Sequence, residues 1–226
     1  MAHSAAGGVD PHSLGGMNVG ALVAPAALES LRRGNARFAT GTGNRFATEE
    51  AERRRELVAR QTPSTIVLAC SDSRVAPAVV FDQGLGDLFV IRVAGNVVAP
   101  EMLGSIEFAA DGLGARLVVV LGHTGCGAIA ATLDEVQDPS PNPSPNLGAI
   151  IDRIRPSVES VLQTADPANR DDILARSVRV NVSASVTALR AESAVVDRLV
   201  RCDGLVIVGA EYSLRTGVVD FFETSA

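Results

Sequence analysis

Cysteine and histidine are scarce in this chain of 226 residues, with three of each. An odd cysteine count gives no disulfide framework. Excess positive charge is also lacking. The 20 Lys and Arg stand against 26 Asp and Glu, a formal net charge of −6, which leaves no footprint for nucleic acid or an anionic membrane. No apolar run reaches the roughly 18 residues of a membrane span. The first residues show no basic stretch followed by an apolar one, so no secretory signal is expected. What is present is apolar enough to fold, at 46% hydrophobic residues, and long enough for one substantial core. These features predict a cytoplasmic α/β protein with reduced thiols and neither a nucleic-acid nor a membrane partner. The placement of the few His and Cys then carries most of the information.

Residues 1–19 are Gly-rich and aperiodic, and they read as a disordered tail holding His3 and His12. Residues 20–226 read as a single α/β catalytic domain, with 20–61 as an N-terminal helical arm. Helices are expected over 26–38 and 48–61. Short continuous apolar runs follow at 65–69 (TIVLA), 88–91 (LFVI), 117–121 (LVVVL) and 205–208 (LVIV), as in strands buried on both faces. A fifth run, 218–222, reads as a strand nearer an edge. Helical patterns separate these runs at 100–114, at 125–136 and, with one break, at 173–202. Residues 138–146 (DPSPNPSPN) read as a stiff polar connection. Alternating strands and helices predict a mostly parallel sheet flanked by helices, with its ligand site outside the carboxyl ends of the strands.

Two motifs end two of those strands: CSDSR at 70–74 and HTGC at 123–126. In a parallel sheet they emerge at one edge, so that Cys70, His123 and Cys126 converge with Asp72 close by. Two thiolates and an imidazole suit tetrahedral Zn²⁺, one ion per chain, and the thiolates already neutralise its charge. The fourth position decides the chemistry, because a protein ligand closes the site whereas water leaves it catalytic. Asp72 is the nearby candidate for a closed state. Arg74 competes for it, since a guanidinium can take both carboxylate oxygens and leave the metal to water. A structural zinc is the main bland alternative, and it is disfavoured because the apolar core needs no metal staple. Cys202, at the end of a helix, reads as a small core residue.

The residues Cys-x-Asp-x-Arg followed by His-x-x-Cys resemble the β-class carbonic anhydrases. The likeness extends to 27–41 (ALESLRRGNARFATG), 81–97 (FDQGLGDLFVIRVAGNV), 104–108 (GSIEF) and 209–222 (GAEYSLRTGVVDFF). The resemblance implies zinc at Cys70, His123 and Cys126 and a catalytic dyad of Asp72 and Arg74. It implies reversible hydration of CO₂ to bicarbonate and a proton by zinc-bound hydroxide. It places Gln61, Phe89 and Phe108 in the substrate pocket, with Phe108 where the family often has Tyr. It implies a homodimer or a larger homo-oligomer. Some members hold bicarbonate at an inhibitory site of Trp, Arg and Tyr. The matching positions here are Val67, Arg92 and Phe108, so that site is expected to be absent. Two alternatives stand beside this reading: a relative of the same fold that hydrolyses CS₂ or COS, and a non-enzymatic zinc- or bicarbonate-binding regulator with Asp72 permanently on the metal.

Overall fold

The computed structural model describes residues 19–43, 50–141 and 144–225. His3 and His12 lie outside the described residues, and Val19, the last position of the expected tail, opens a helix. Five strands form one sheet: β1 (Thr65–Ala69), β2 (Leu88–Arg92), β3 (Leu117–His123), β4 (Val206–Tyr212) and β5 (Val219–Ser225). Their order is β2-β1-β3-β4-β5. The first four are mutually parallel, and β5 runs antiparallel on β4 at the edge. The apolar runs of β1 and β3 are continuous because both strands are central and every residue in them is buried.

Side chains alternate between the two faces of the sheet. Ile66, Leu68, Val118 and Val120 pack under α4 (Pro100–Glu107), α7 (Arg170–Ala191) and α8 (Ala194–Cys202). Val67, Leu117, Val119 and Leu121 pack on the other face against Leu31 of α1 (Val19–Ala39) and Val80 of α3 (Pro77–Val80). A third apolar cluster joins α5 (Gly127–Gln137), α6 (Pro145–Leu162) and α7 and encloses Cys70 and Cys126.

Several expectations need correction. Strand β2 is an edge strand: only Ile91 is buried and Val90 is 39% exposed. The second helix of the arm, α2, is shorter than 48–61 and covers Glu50–Glu56. The helix over 100–114 ends as α at Glu107 and continues as one wider π turn over Phe108–Gly112. The polar connection is cut short, because α6 starts at Pro145 with Ser144 as its cap. Proline at the first helical position forfeits no hydrogen bond, so it can open a helix as readily as stiffen a loop. The break expected within 173–202 falls at Ser193, whose hydroxyl accepts from the Val196 N–H at 3.0 Å and donates to Glu107 at 2.6 Å. Cys202 is exposed and not a core residue. The buried stripe of α8 runs through Val196, Leu199 and Val200, and position 202 falls outside it.

Candidate active site

Strands β1 and β3 pair in register from Thr65 opposite Leu117 to Ala69 opposite Leu121. Cys70, the residue after β1, and His123, the last of β3, therefore leave the sheet at the same edge. The turn after β3 brings in Cys126, which caps α5. One donor atom from each of Cys70, His123 and Cys126 lies within 4.8 Å of the other two, and all three residues are buried. The two sulfurs are 3.9 Å apart.

Each donor is oriented by its surroundings. His123 Nδ1 lies 3.0 Å from the Thr124 carbonyl. A carbonyl only accepts, so Nδ1 carries the proton and Nε2 presents a lone pair to the sulfurs. That Nε2 is buried without a hydrogen-bond partner. A buried, unpartnered nitrogen beside two thiols is costly by itself and is what a bound cation would satisfy. The Gly95 N–H donates to Cys70 Sγ at 3.3 Å. The Cys126 thiol, hydrogen-bonded to Cys70, holds the Cys70 thiol well below the usual range, with smaller help from His123 and the Gly95 N–H. Cys126 is held above that range, first by Cys70 and then by burial, although the N–H groups of Ala128 and Ile129 at the start of α5 oppose this. One thiolate thus suppresses the second, and a cation between the sulfurs removes the penalty. The donor set fits a soft or borderline divalent metal such as zinc.

Asp72 stands at the mouth of this cluster, with Oδ2 3.9 Å from His123 Nε2. Arg74 grips it with two parallel bonds, Nε to Oδ1 at 2.8 Å and Nη2 to Oδ2 at 2.6 Å, and the Arg74 backbone N–H adds a third at 2.9 Å. The Arg74 guanidinium holds the Asp72 carboxyl well below the usual carboxylate range. Arg74 Nη2 also donates to the Gly125 carbonyl at 3.2 Å, which ties the pair to the turn carrying Cys126.

Two contributors were not legible as site residues. Arg92, at the end of β2, donates from Nε to the Cys70 carbonyl at 3.1 Å and from Nη2 to the Asp72 carbonyl at 2.6 Å. It clamps the turn that holds both residues, and an Arg at a strand end gives no sign of that in sequence. Gly95 has φ of +71°, and a Cβ there would come within 2.6 Å of Ile154. The Gly-Asn pair just past a strand was the available signal.

The three positions expected in the substrate pocket lie apart from the metal-ligand cluster in this chain. Phe89 and Phe108 pack against each other with tilted rings whose centroids are 6.2 Å apart. Phe89 pairs with Ile66, four residues before Cys70, or roughly 13 Å along the strand. Phe108 is 57% exposed. Gln61 lies beyond the amino end of β1 and lines an open cavity of about 590 Å³ with Arg54, Leu57, Leu85 and Gly86.

Residues 65–219, from the first residue of β1 to the first of β5, match the carbonic anhydrase family. The chain is 38% identical over 192 residues to carbonic anhydrase 2 of Mycobacterium tuberculosis, covering 85% of this chain and 89% of that protein. It is also 38% identical over 195 residues to the carbonic anhydrase of Mycolicibacterium smegmatis, covering 86% of this chain and 91% of that one. Its fold matches the Coccomyxa β-carbonic anhydrase solved with acetazolamide, at a TM-score of 0.70 and 27% identity, over 79% of this chain and 81% of that one. The chain belongs to the β-carbonic anhydrase family. Members of this family are zinc enzymes, and Cys70, His123 and Cys126 form the cluster able to hold a metal among the described residues. No helix among those residues is long and apolar enough to cross a membrane.

Proposed function

We propose that this β-carbonic anhydrase family member hydrates CO₂ reversibly to bicarbonate and a proton, with zinc held by Cys70 Sγ, His123 Nε2 and Cys126 Sγ. The observation that carries the reading is the two-bond grip of Arg74 on Asp72 beside that donor set. Zinc bound there would lower the pKa of water toward the neutral range and so supply a nucleophile. The remaining work falls to the chain. The thiolates of Cys70 and Cys126 balance the ion's charge. Arg74 occupies both oxygens of Asp72 and keeps the carboxylate from joining the ligand set; release of that grip would let Asp72 close the site. Asp72, kept ionised by Arg74, accepts a hydrogen bond from the attacking water and fixes its orientation.

Gln61, Phe89 and Phe108 serve the substrate in an assembly of at least two copies, which supplies what their distance from the cluster in one protomer lacks. The exposure of Phe108 and Val90 along the β2 edge supports this reading. A reducing compartment such as the cytoplasm fits two free thiols 3.9 Å apart.

Stopped-flow CO₂ hydration by the zinc-loaded protein, from mildly acidic to mildly alkaline pH, tests the activity. Turnover rising with pH through one ionisation is expected, and no turnover at any pH would overturn the reading. Asp72→Asn should keep its zinc yet lose about 100-fold or more in turnover. Unchanged turnover in that variant would remove Asp72 from its orienting role.

A further inference from the structure

Helix α7 lies behind the metal-ligand cluster and touches it through one turn of backbone. Residues Gly95 and Asn96 are consecutive with positive φ, +71° and +45°, in the tight turn that follows β2. After glycine, asparagine is among the residues that take that conformation most readily, and here the carbonyls of the turn are held as well. That hold comes from α7. Asn181 Nδ2 donates to the Gly95 carbonyl at 2.9 Å, and Ser185 Oγ donates to the Asn96 carbonyl at 3.2 Å. The two donors are four residues apart, so they stack on one face of the helix. Both are buried, at 3% and 5% exposure, where a carbonyl left without a donor is costly. The product of this arrangement is the direction of one N–H: Gly95 donates to Cys70 Sγ at 3.3 Å.

The helix is seated firmly enough to act as a fixed reference. Gly122, the residue before His123, lets α7 approach so closely that a Cβ there would come within 2.6 Å of Val182 and 3.2 Å of Val178. One helix therefore bears on the backbone beside two of the three donor residues.

We propose that Asn181, assisted by Ser185, is a positioning residue of the metal centre: it locks the 95–96 turn so that the Gly95 N–H stays on Cys70 Sγ and sets the donor strength of that sulfur. An N–H directed at a thiolate withdraws electron density from it. The sulfur then gives less to the metal, and the metal polarises its other ligands more strongly. Neither residue reaches the reacting atoms, and both act through Gly95. This inference rests on the assignment of Cys70 as a metal ligand.

The test uses the full chain with Co²⁺ in place of zinc and reads the thiolate-to-cobalt charge-transfer band, alongside zinc affinity from competition with a chromophoric chelator. Asn181→Ala should move the band to longer wavelength, because the sulfur loses its N–H and becomes a better donor. Its zinc affinity should nonetheless fall about 10- to 100-fold, because the freed turn no longer holds Cys70 in place for the ion. Ser185→Ala, which frees only the second carbonyl, should move both readouts the same way by less, and it carries the test if N181A does not fold. Ser177→Ala is the control, since Ser177 Oγ is buried on the same helix without a hydrogen-bond partner. That variant should leave band and affinity in place. An unmoved band with unchanged affinity in folded N181A, or in S185A where N181A is unfolded, would overturn the proposal. So would an equal shift in S177A, which would mark a general loosening of the helix. Failure of the unaltered protein to show any thiolate-to-cobalt band would instead overturn the metal assignment itself, and this inference with it.

Discussion

Val67 in β1 and Val90 in β2 face each other in register across two neighbouring parallel strands, yet one is fully buried and the other 39% exposed. Their strands, TIVLA and LFVIR, are equally apolar in sequence. The difference is position. Helices α1 and α3 cover Val67 with Leu31, Val80 and Phe81, whereas β2 has no further strand beside it. The centre of the sheet builds the site because its backbone is fixed on both sides, and residues just past its end inherit that fixity. The edge strand leaves apolar surface uncovered, as at Val90.

Lysine placed at each valine sharpens the contrast. Val67→Lys buries an ammonium with no partner, at a cost of several kcal/mol set against a total stability of about 5–15 kcal/mol, so no folded protein is expected in a soluble-yield and circular-dichroism assay. Cys126→Ser should fold but lose its zinc, measured as metal per chain, and with it turnover to the uncatalysed level. Val90→Lys should keep native circular dichroism while light scattering reports a lower mass, because the charge falls on an edge and not in a core. An unchanged mass would place the interface elsewhere. Far from both strands, Ser144→Ala removes the cap of α6, where Ser144 Oγ accepts from the Leu147 N–H at 3.5 Å. It should cost about 0.5–1 kcal/mol in urea unfolding and leave turnover alone.

Much of this was legible in the sequence, for physical reasons that can be named. The runs at 65–69 and 117–121 showed as buried strands because central parallel strands have no polar face. Cys70, His123 and Cys126 showed as one cluster because two parallel strands must end at one edge, and Arg74 showed as a partner of Asp72 because only Ser73 separates them, within one guanidinium's reach. The edge position of β2 did not show, since apolarity does not encode which neighbours a strand has. Helix α6 did not show because the prolines at 139, 141, 143 and 145 obscured where the loop stopped. Arg92 and Asn181 did not show because what they hold is backbone, and a carbonyl that needs a donor leaves no mark in the sequence. Gln61, Phe89 and Phe108 were named by resemblance alone, and the fold of the single chain sets them apart from the metal-ligand cluster.

The pairing of β1 with β3 also bears on how the chain reaches its working form. Cys70 and Cys126 are 56 positions apart, and the central strand pair brings them together. An unfolded chain offers a metal only local donors, such as His123 with Cys126 or Cys70 with Asp72, which make weak and nonspecific chelates. Tight capture must wait for a long-range contact that is slow to close, so the ion records the completion of the sheet and cannot nucleate it.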